Sequence, residues 1–286
     1  MTGLGKSGLV CHTVPGIIFG MRLSRKLQKL FSREVLESFW EHAARRMHPV
    51  NARRILATIN CAEFAKLRER HPRRPVSLRI NRFEDASYWV GINVERAQDL
   101  WLDRTPPLRI LDVGCGAGYF LYVCRFFGHQ AVGLDVHNDP LFCATTELLN
   151  VRSVISRVDR RVPLPDLGTR FDLVTAHRVC FHRIRQAHKT EPSEWTPHDW
   201  EFFINDIRTR FLEPDGRLLL DFNPRAGGHS FFTTQLRASL LSLGGRIFRS
   251  KALFAANPKQ WPRFKQTHTQ RRESRSAPLL ATKTIS

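Results

Sequence analysis

Leu108-Arg109-Ile110-Leu111-Asp112-Val113-Gly114-Cys115-Gly116-Ala117-Gly118-Tyr119-Phe120-Leu121 is the stretch on which the reading of this chain turns. A short apolar run enters a turn with glycine at every second position, and a helical pattern follows at once. Glycine tolerates positive φ and lets another group approach the backbone closely, and the first turn of the following helix presents free N–H groups to negative charge. A strand, a glycine bend and a helix start in that order read as a ligand cradle. The spacing is GxGxG. The dinucleotide fingerprint GxGxxG needs a small residue where Tyr119 stands, which disfavours a nicotinamide cofactor.

Outward from the cradle, apolar runs alternate with helix-length stretches. Leu108–Val113, Gln130–Leu134, Ser153–Val158, Phe171–Ala176 and Arg217–Phe222 read as strands. A helix is expected around Phe231–Leu243, and Arg246–Phe254 supplies one or two short closing strands. Strands separated by helices imply parallel pairing with right-handed crossovers, so the expected class is α/β: a Rossmann-like, doubly wound, mostly parallel seven-stranded sheet. In such sheets ligands bind beyond the carboxyl ends of the strands. Asp135, closing Gly133-Leu134-Asp135, falls there and can accept both hydroxyls of a ribose; a helix cap or a solvated loop acid is the plain alternative. Asp159 can accept from an adenine amino group, or simply pair with Arg157, Arg160 or Arg161.

The order of these features resembles the class I S-adenosylmethionine-dependent methyltransferases, particularly their small-molecule group. The resemblance runs from Leu108 to Pro224. It takes in the glycine motif, Gly133-Leu134-Asp135, Asp159 with Pro163-Leu164-Pro165, Phe171-Asp172-Leu173-Val174, and Leu212-Glu213-Pro214-Asp215-Gly216-Arg217-Leu218. Where that family has Pro-Gly-Gly, this chain has Pro-Asp-Gly, and Asp also suits a turn. The resemblance implies S-adenosylmethionine as cofactor, held by Asp112, Gly114, Cys115, Gly116, Gly118, Asp135, Val136 and Asp159. Within that set Asp112 anchors the methionine amino end, Asp135 the ribose and Asp159 the adenine. It also implies that His177-Arg178-Val179-Cys180-Phe181-His182-Arg183 faces the methyl acceptor, with His182 and His177 as candidate catalytic groups. A hydrogen-bonded structural histidine is the alternative for both. Gln186 to Trp200 is a lid or acceptor wall, or else a surface insertion. Tyr88 and Trp89, on the preceding helix, are candidate cofactor contacts. Asn223-Pro224 lacks the second proline and the aromatic of the box used on nucleobase amines.

The remaining chain divides by pattern. Residues 1–20 are Gly-rich without helical or strand period, and Met21 reads as the natural start. Gly3-Leu4-Gly5-Lys6-Ser7 lacks the spacing and the preceding strand of a phosphate loop. Residues 21–104 form a helical N-terminal extension, with Leu23, Leu27, Leu30, Phe31, Val35, Phe39, Ile55, Ile59, Phe64 and Leu67 at helical intervals. Pro49 divides the first helix from the second, Pro72 and Pro75 end the group, and Phe83–Leu102 is one further helix with Trp89, Ile92, Ala97 and Leu100 near one face. Residues 105–256 form the cofactor domain, and residues 257–286 a basic, disordered tail.

The net charge of +19 would draw the chain towards phosphates or anionic lipid. Arginine is spread along the whole length rather than in one stripe, so nucleic acid is a possible partner but not the favoured one. A small-molecule acceptor is preferred, with RNA or another polyanion as the alternative, and a non-catalytic binding protein as the second. No apolar run reaches membrane-spanning length, although a basic amphipathic helix can lie on a membrane surface. The six cysteines show no CxxC pair, so no metal site and no disulfide framework is expected, and the setting is read as reducing and cytoplasmic.

Overall fold

A computed structural model describes residues 43, 45–70, 85–136, 139–184, 193–225 and 231–257. The readings of residues 1–20, of the helix from Arg22, of Pro72 and Pro75, and of the basic tail lie outside the described residues.

Ahead of the cradle the described residues include the helices α1 (Ala52–Leu56), α2 (Cys61–Arg70) and α3 (Ala86–Asp99). Asn51 and Asp85 start α1 and α3 by accepting from the backbone N–H of Arg53 and Tyr88. Ile55, Ile59, Phe64 and Leu67, the apolar series expected of this region, are buried. In α3 the buried face is Val90, Asn93, Val94, Ala97 and Gln98, turned partly from the expected one: Ala97 is common to both, and Trp89 and Leu100 pack partly buried against the same core. Gln98 explains part of that turn, because its amide donates to the His48 carbonyl at 2.7 Å and is drawn inward.

The sheet has seven strands: β1 (Arg109–Val113), β2 (Gln130–Asp135), β3 (Arg152–Ile155), β4 (Phe171–Val179), β7 (Leu212–Phe222), β8 (Arg246–Phe248) and β9 (Lys251–Ala255). Their order is β3-β2-β1-β4-β7-β9-β8. The first five are parallel, while β9 runs antiparallel to both β7 and β8. Helices α4 (Tyr119–Phe126), α5 (Pro140–Leu148), α6 (Pro197–Asp206) and α7 (Thr234–Ser242) make the crossovers, so the fold is the mixed, mostly parallel α/β sheet expected.

Alternation along the strands separates two cores. Leu111, Val113, Val174, Ala176, Leu218, Leu220 and Phe222 face α6 and α7, where Trp200, Phe203, Ile204 and Leu240 fill the space. Ile110 and Leu173 face the other way, against Ile55, Leu67, Val94, Leu121 and Cys124 of α1 to α4. Burying a side chain of this kind stabilises by about 1.5–3 kcal/mol, and both faces of the sheet are covered in this way.

Three boundaries differ from the expected ones for identifiable reasons. Strand β4 continues through His177 and Arg178 to Val179, with an irregular register between Ala176 and Val179, and Arg178 takes a φ of 57° there. Strand β7 starts at Leu212, not Arg217. Phe171 pairs with Leu212 and Leu173 with Arg217, so the Pro-Asp-Gly stretch is a bulge inside the strand rather than a turn before it. Gly216 is needed in that bulge, since a Cβ there would stand 2.9 Å from the Glu213 and Phe171 carbonyl oxygens. The segment read as a loop from Gln186 to Trp200 contains β6 (Ser193–Glu194), paired with β5 (Arg183–Ile184), and the first turn of α6. Its residues 186–192 lie outside the described residues. Among the described residues no helix is long and apolar enough to cross a membrane, and no group of His, Cys, Asp and Glu is placed to hold a metal.

Candidate active site

From the end of β1 the chain bends through Gly114 (φ 77°), Gly116 (φ 54°) and Gly118 (φ 78°) into α4. All three lie in the left-handed region, where a side chain costs roughly 1–2 kcal/mol. Their surroundings differ. A Cβ on Gly114 would meet nothing within 4 Å, and one on Gly116 would meet only the Phe142 ring at 3.7 Å. A Cβ on Gly118 would stand 2.6 Å from Val151 and 3.0 Å from Thr146. Gly114 therefore borders open space, Gly116 lies against the Phe142 ring without crowding, and the third glycine lets α4 pack onto α5. Gly133 of β2 serves packing as well, since a Cβ there would overlap the Cys115 sulfur and Leu121. Cys115 is buried beneath the bend, and burial pushes its thiol far up, so it offers bulk rather than a thiolate. The start of α4 carries no side-chain cap.

Asp135 closes the cradle. Its Oδ2 accepts the Gly116 N–H at 2.8 Å, joining the end of β2 to the middle of the bend. The Gly114 N–H donates to the Leu134 carbonyl at 2.6 Å, which fixes the entry of the bend against the same strand. Val136 follows and is 39% exposed, an apolar surface next to the carboxylate.

Beneath the bend the pleat turns polar. Asp112 points to the α3 side of the sheet, is 2% exposed, and accepts the Thr175 hydroxyl at 2.7 Å. Burial pushes its carboxyl up to about 7, with the Thr175 hydrogen bond and the Arg96 charge pulling the other way. Arg96 comes from α3, donates to the Asn93 side-chain oxygen at 2.9 Å, and lies in the field of Asp221 and Asp112. Sequence reading missed it. The sequence carried no direct signal, because the burial of Asn93 and Ala97 beside Arg96 is seen only in the structure.

His177 sits on this same side, its ring edge-on to Phe120 with centroids 4.5 Å apart. Both ring nitrogens are buried without a hydrogen-bond partner among the described residues. Burial, reinforced by Arg96, Lys251 and Arg178, drives its pKa well down and keeps it neutral. His182 is elsewhere. It packs between Trp200 (5.4 Å) and Phe222 (5.6 Å) in the core on the α6 and α7 side, and burial with the Arg183 charge lowers it to about 4. The two histidines read together from the sequence are thus placed on opposite sides of the sheet's carboxyl edge.

Asp159 pairs with Arg157 at 3.0 Å in a partly exposed position. Its other two arginine neighbours turn away, Arg160 to the Glu194 carbonyl and Arg161 to Asp199. Trp89 stacks on Tyr119, the first residue of α4, at 6.4 Å and 16°, while Tyr88 is 43% exposed. Trp195 and Trp200 of the expected acceptor wall are buried in the core. The Asn223 side-chain amide donates to the Arg178 carbonyl at 2.8 Å and ties the irregular end of β4 to that of β7.

Residues 111–220 match the family described as "Methyltransferase domain". No curated protein matches the chain. Among solved structures, it is similar to the PH0226 protein from Pyrococcus horikoshii OT3, at 21% identity over 47% of this chain and 54% of that one, with a TM-score of 0.35. It is similar to a TehB-like SAM-dependent methyltransferase from Corynebacterium glutamicum, at 18% identity over 58% of this chain and 98% of that one (TM-score 0.38). A third is CalS10, an amino pentose methyltransferase from Micromonospora echinaspora, at 22% identity over 55% of this chain and 61% of that one (TM-score 0.35). The chain spans about half the length of the Pyrococcus protein and three fifths of CalS10.

Proposed function

We propose that this chain, whose residues 111–220 match a methyltransferase domain family, is a class I S-adenosylmethionine-dependent methyltransferase that transfers a methyl group to a small-molecule acceptor. The observation that carries the reading is the joint between Asp135 and the Gly116 N–H, a carboxylate locked onto a bend whose first glycine, Gly114, borders open space.

The residues present fit the cofactor. The open side of Gly114 is a cradle that a Cβ would begin to fill, and the uncapped start of α4 offers N–H groups to a carboxylate. Gly114, Cys115, Gly116 and Gly118 would hold the methionine end, with Asp112 facing its ammonium. Asp135 would hold the ribose, and Val136 and Asp159 the adenine. When bound, S-adenosylmethionine supplies a methyl group on a sulfonium, already a good leaving group. The protein's task is then alignment and exclusion of water rather than strong acid or base chemistry. Neutral His177, at the carboxyl end of β4 on the Asp112 side, is suited to accept a hydrogen bond from an acceptor hydroxyl and orient it, its lowered pKa making it a weak base. Residues 21–104 would act as a cap over residues 105–256, and Arg96 gives that cap a charged group near Asp112.

The test is transfer of labelled methyl from S-adenosylmethionine into two pools, small hydroxylated or amino compounds and total RNA. Label in the first pool is the expected result, lost with Asp135→Ala. Label in RNA alone, with retention on heparin that falls steeply with salt, would replace the acceptor class with a polyanion, as the charge of +19 would allow. Cofactor binding without transfer to either pool would leave a binding protein.

A further inference from the structure

The segments that follow β3, β4 and β7 all lie at the carboxyl edge of the sheet, and Glu194 of β6 joins them. Its main-chain carbonyl accepts Arg160 Nη2 at 2.9 Å, from the loop after β3. Its carboxylate takes Arg225 at 2.5 Å, from beyond β7, and Arg183 at 3.6 Å, from beyond β4. The four side chains are 22–33% exposed, so solvent screens these contacts less than it would an open surface pair.

One end of this joint lies at the cofactor site. The loop after β3 starts where the Ser156 N–H donates to the Asp135 carbonyl at 2.9 Å, and it carries Asp159 immediately before Arg160. Its far part is fastened to the α6 side, the Leu164 N–H donating to Asp206 at 3.1 Å and Arg210 to the Leu164 carbonyl at 3.0 Å. A loop held at both ends has little freedom to absorb a ligand at Asp159, so a displacement there passes on through Arg160.

The other end lies at the residues that follow β4. Strand β6 pairs with β5, Arg183 opposite Glu194, and the Trp195 N–H donates to the His182 carbonyl at 2.9 Å. The Arg183 N–H donates in turn to the Cys180 carbonyl at 3.0 Å. A short path of hydrogen bonds and ion pairs thus runs from the end of β2 to the segment read as facing the acceptor, and contiguous contacts of this kind carry coupling between sites.

We propose that Arg160 is a positioning residue, through which adenine binding at Asp159 orders residues 180–184 by way of Glu194. This role rests on the methyltransferase reading, since S-adenosylmethionine is what Asp159 would hold. The cofactor then prepares the acceptor side before the acceptor arrives, and by reciprocity an acceptor that orders the same segment tightens the cofactor.

Residue-resolved amide hydrogen exchange of the full chain, with and without saturating S-adenosylmethionine, tests it. In the wild type the cofactor slows exchange of the Arg183 and Trp195 amides about five- to tenfold, an ordinary strength of coupling between sites. Arg160→Met keeps the aliphatic stem and removes the donors. At its own saturating cofactor concentration the slowing is abolished, and Arg160→Lys retains part of it. A brace without this role would change exchange equally in the free and bound protein and leave the bound-to-free ratio as in the wild type. Should Arg160→Met disturb folding, Glu194→Gln decides, because it weakens the contacts with Arg183 and Arg225, and the slowing at the Arg183 amide then falls at least threefold. Cofactor binding without slowing in the wild type, or a wild-type ratio in the deciding variant, overturns the role and leaves the methyltransferase reading in place. No binding by the folded wild type removes both.

Discussion

Replacing Gly114 and Gly118 singly by alanine distinguishes a ligand cradle from an ordinary tight turn. Both residues have φ near 78°, so each alanine pays roughly 1–2 kcal/mol of backbone strain. At Gly118 the new methyl also lands 2.6 Å from Val151 and 3.0 Å from Thr146, and overpacking of this kind costs about 1–3 kcal/mol more. At Gly114 it meets nothing within 4 Å. Gly118→Ala should therefore lose about 2–5 kcal/mol in urea unfolding and Gly114→Ala only about 1–2, out of a total of about 5–15 for a domain. Affinity should fall in the stable variant too, because the methyl at 114 enters the space assigned to the cofactor. Calorimetry with S-adenosylmethionine on Gly114→Ala should show at least a tenfold loss. Equal destabilisation of the two variants, or wild-type affinity in Gly114→Ala, would refute the reasoning.

Two other perturbations follow from single residues. Asp112 is held near 7, so it is protonated and neutral below that pH and ionised above it. If it faces the cofactor's ammonium, affinity rises as pH increases through about 7 and then levels, and Asp112→Asn binds more weakly with no such rise; a wild-type profile flat across that range would remove Asp112 from the site. Asp199 is 2% exposed and accepts the Thr196 N–H and hydroxyl, both at 2.8 Å, so Asp199→Ala should cost about 1–2 kcal/mol in denaturant unfolding without altering S-adenosylmethionine affinity.

The glycine bend and Asp135 were legible in the sequence because both follow from local demands. Positive φ selects glycine, and an acid closing a parallel strand falls at the edge where ligands bind. The acceptor side was less legible. His177 and His182 are five apart, an odd interval that already sends strand residues to opposite faces, but the irregular register after Ala176 hides which face each takes. Arg96 escaped because helical periodicity assigns charged residues to the solvent side, and only its neighbours Asn93 and Ala97 show that it points inward. The early start of β7 was masked by Pro-Asp-Gly, which has the composition of a turn, and the β5–β6 pair is two residues long on each side, too short for a period.

The most direct measurement is the binding isotherm of S-adenosylmethionine with the wild type and with Asp135→Ala. One site per chain in the wild type, with affinity lowered at least tenfold in the variant while its unfolding midpoint changes little, is the result expected from the carboxylate at Gly116. No binding by the folded wild type, or identical isotherms for the two proteins, would contradict it.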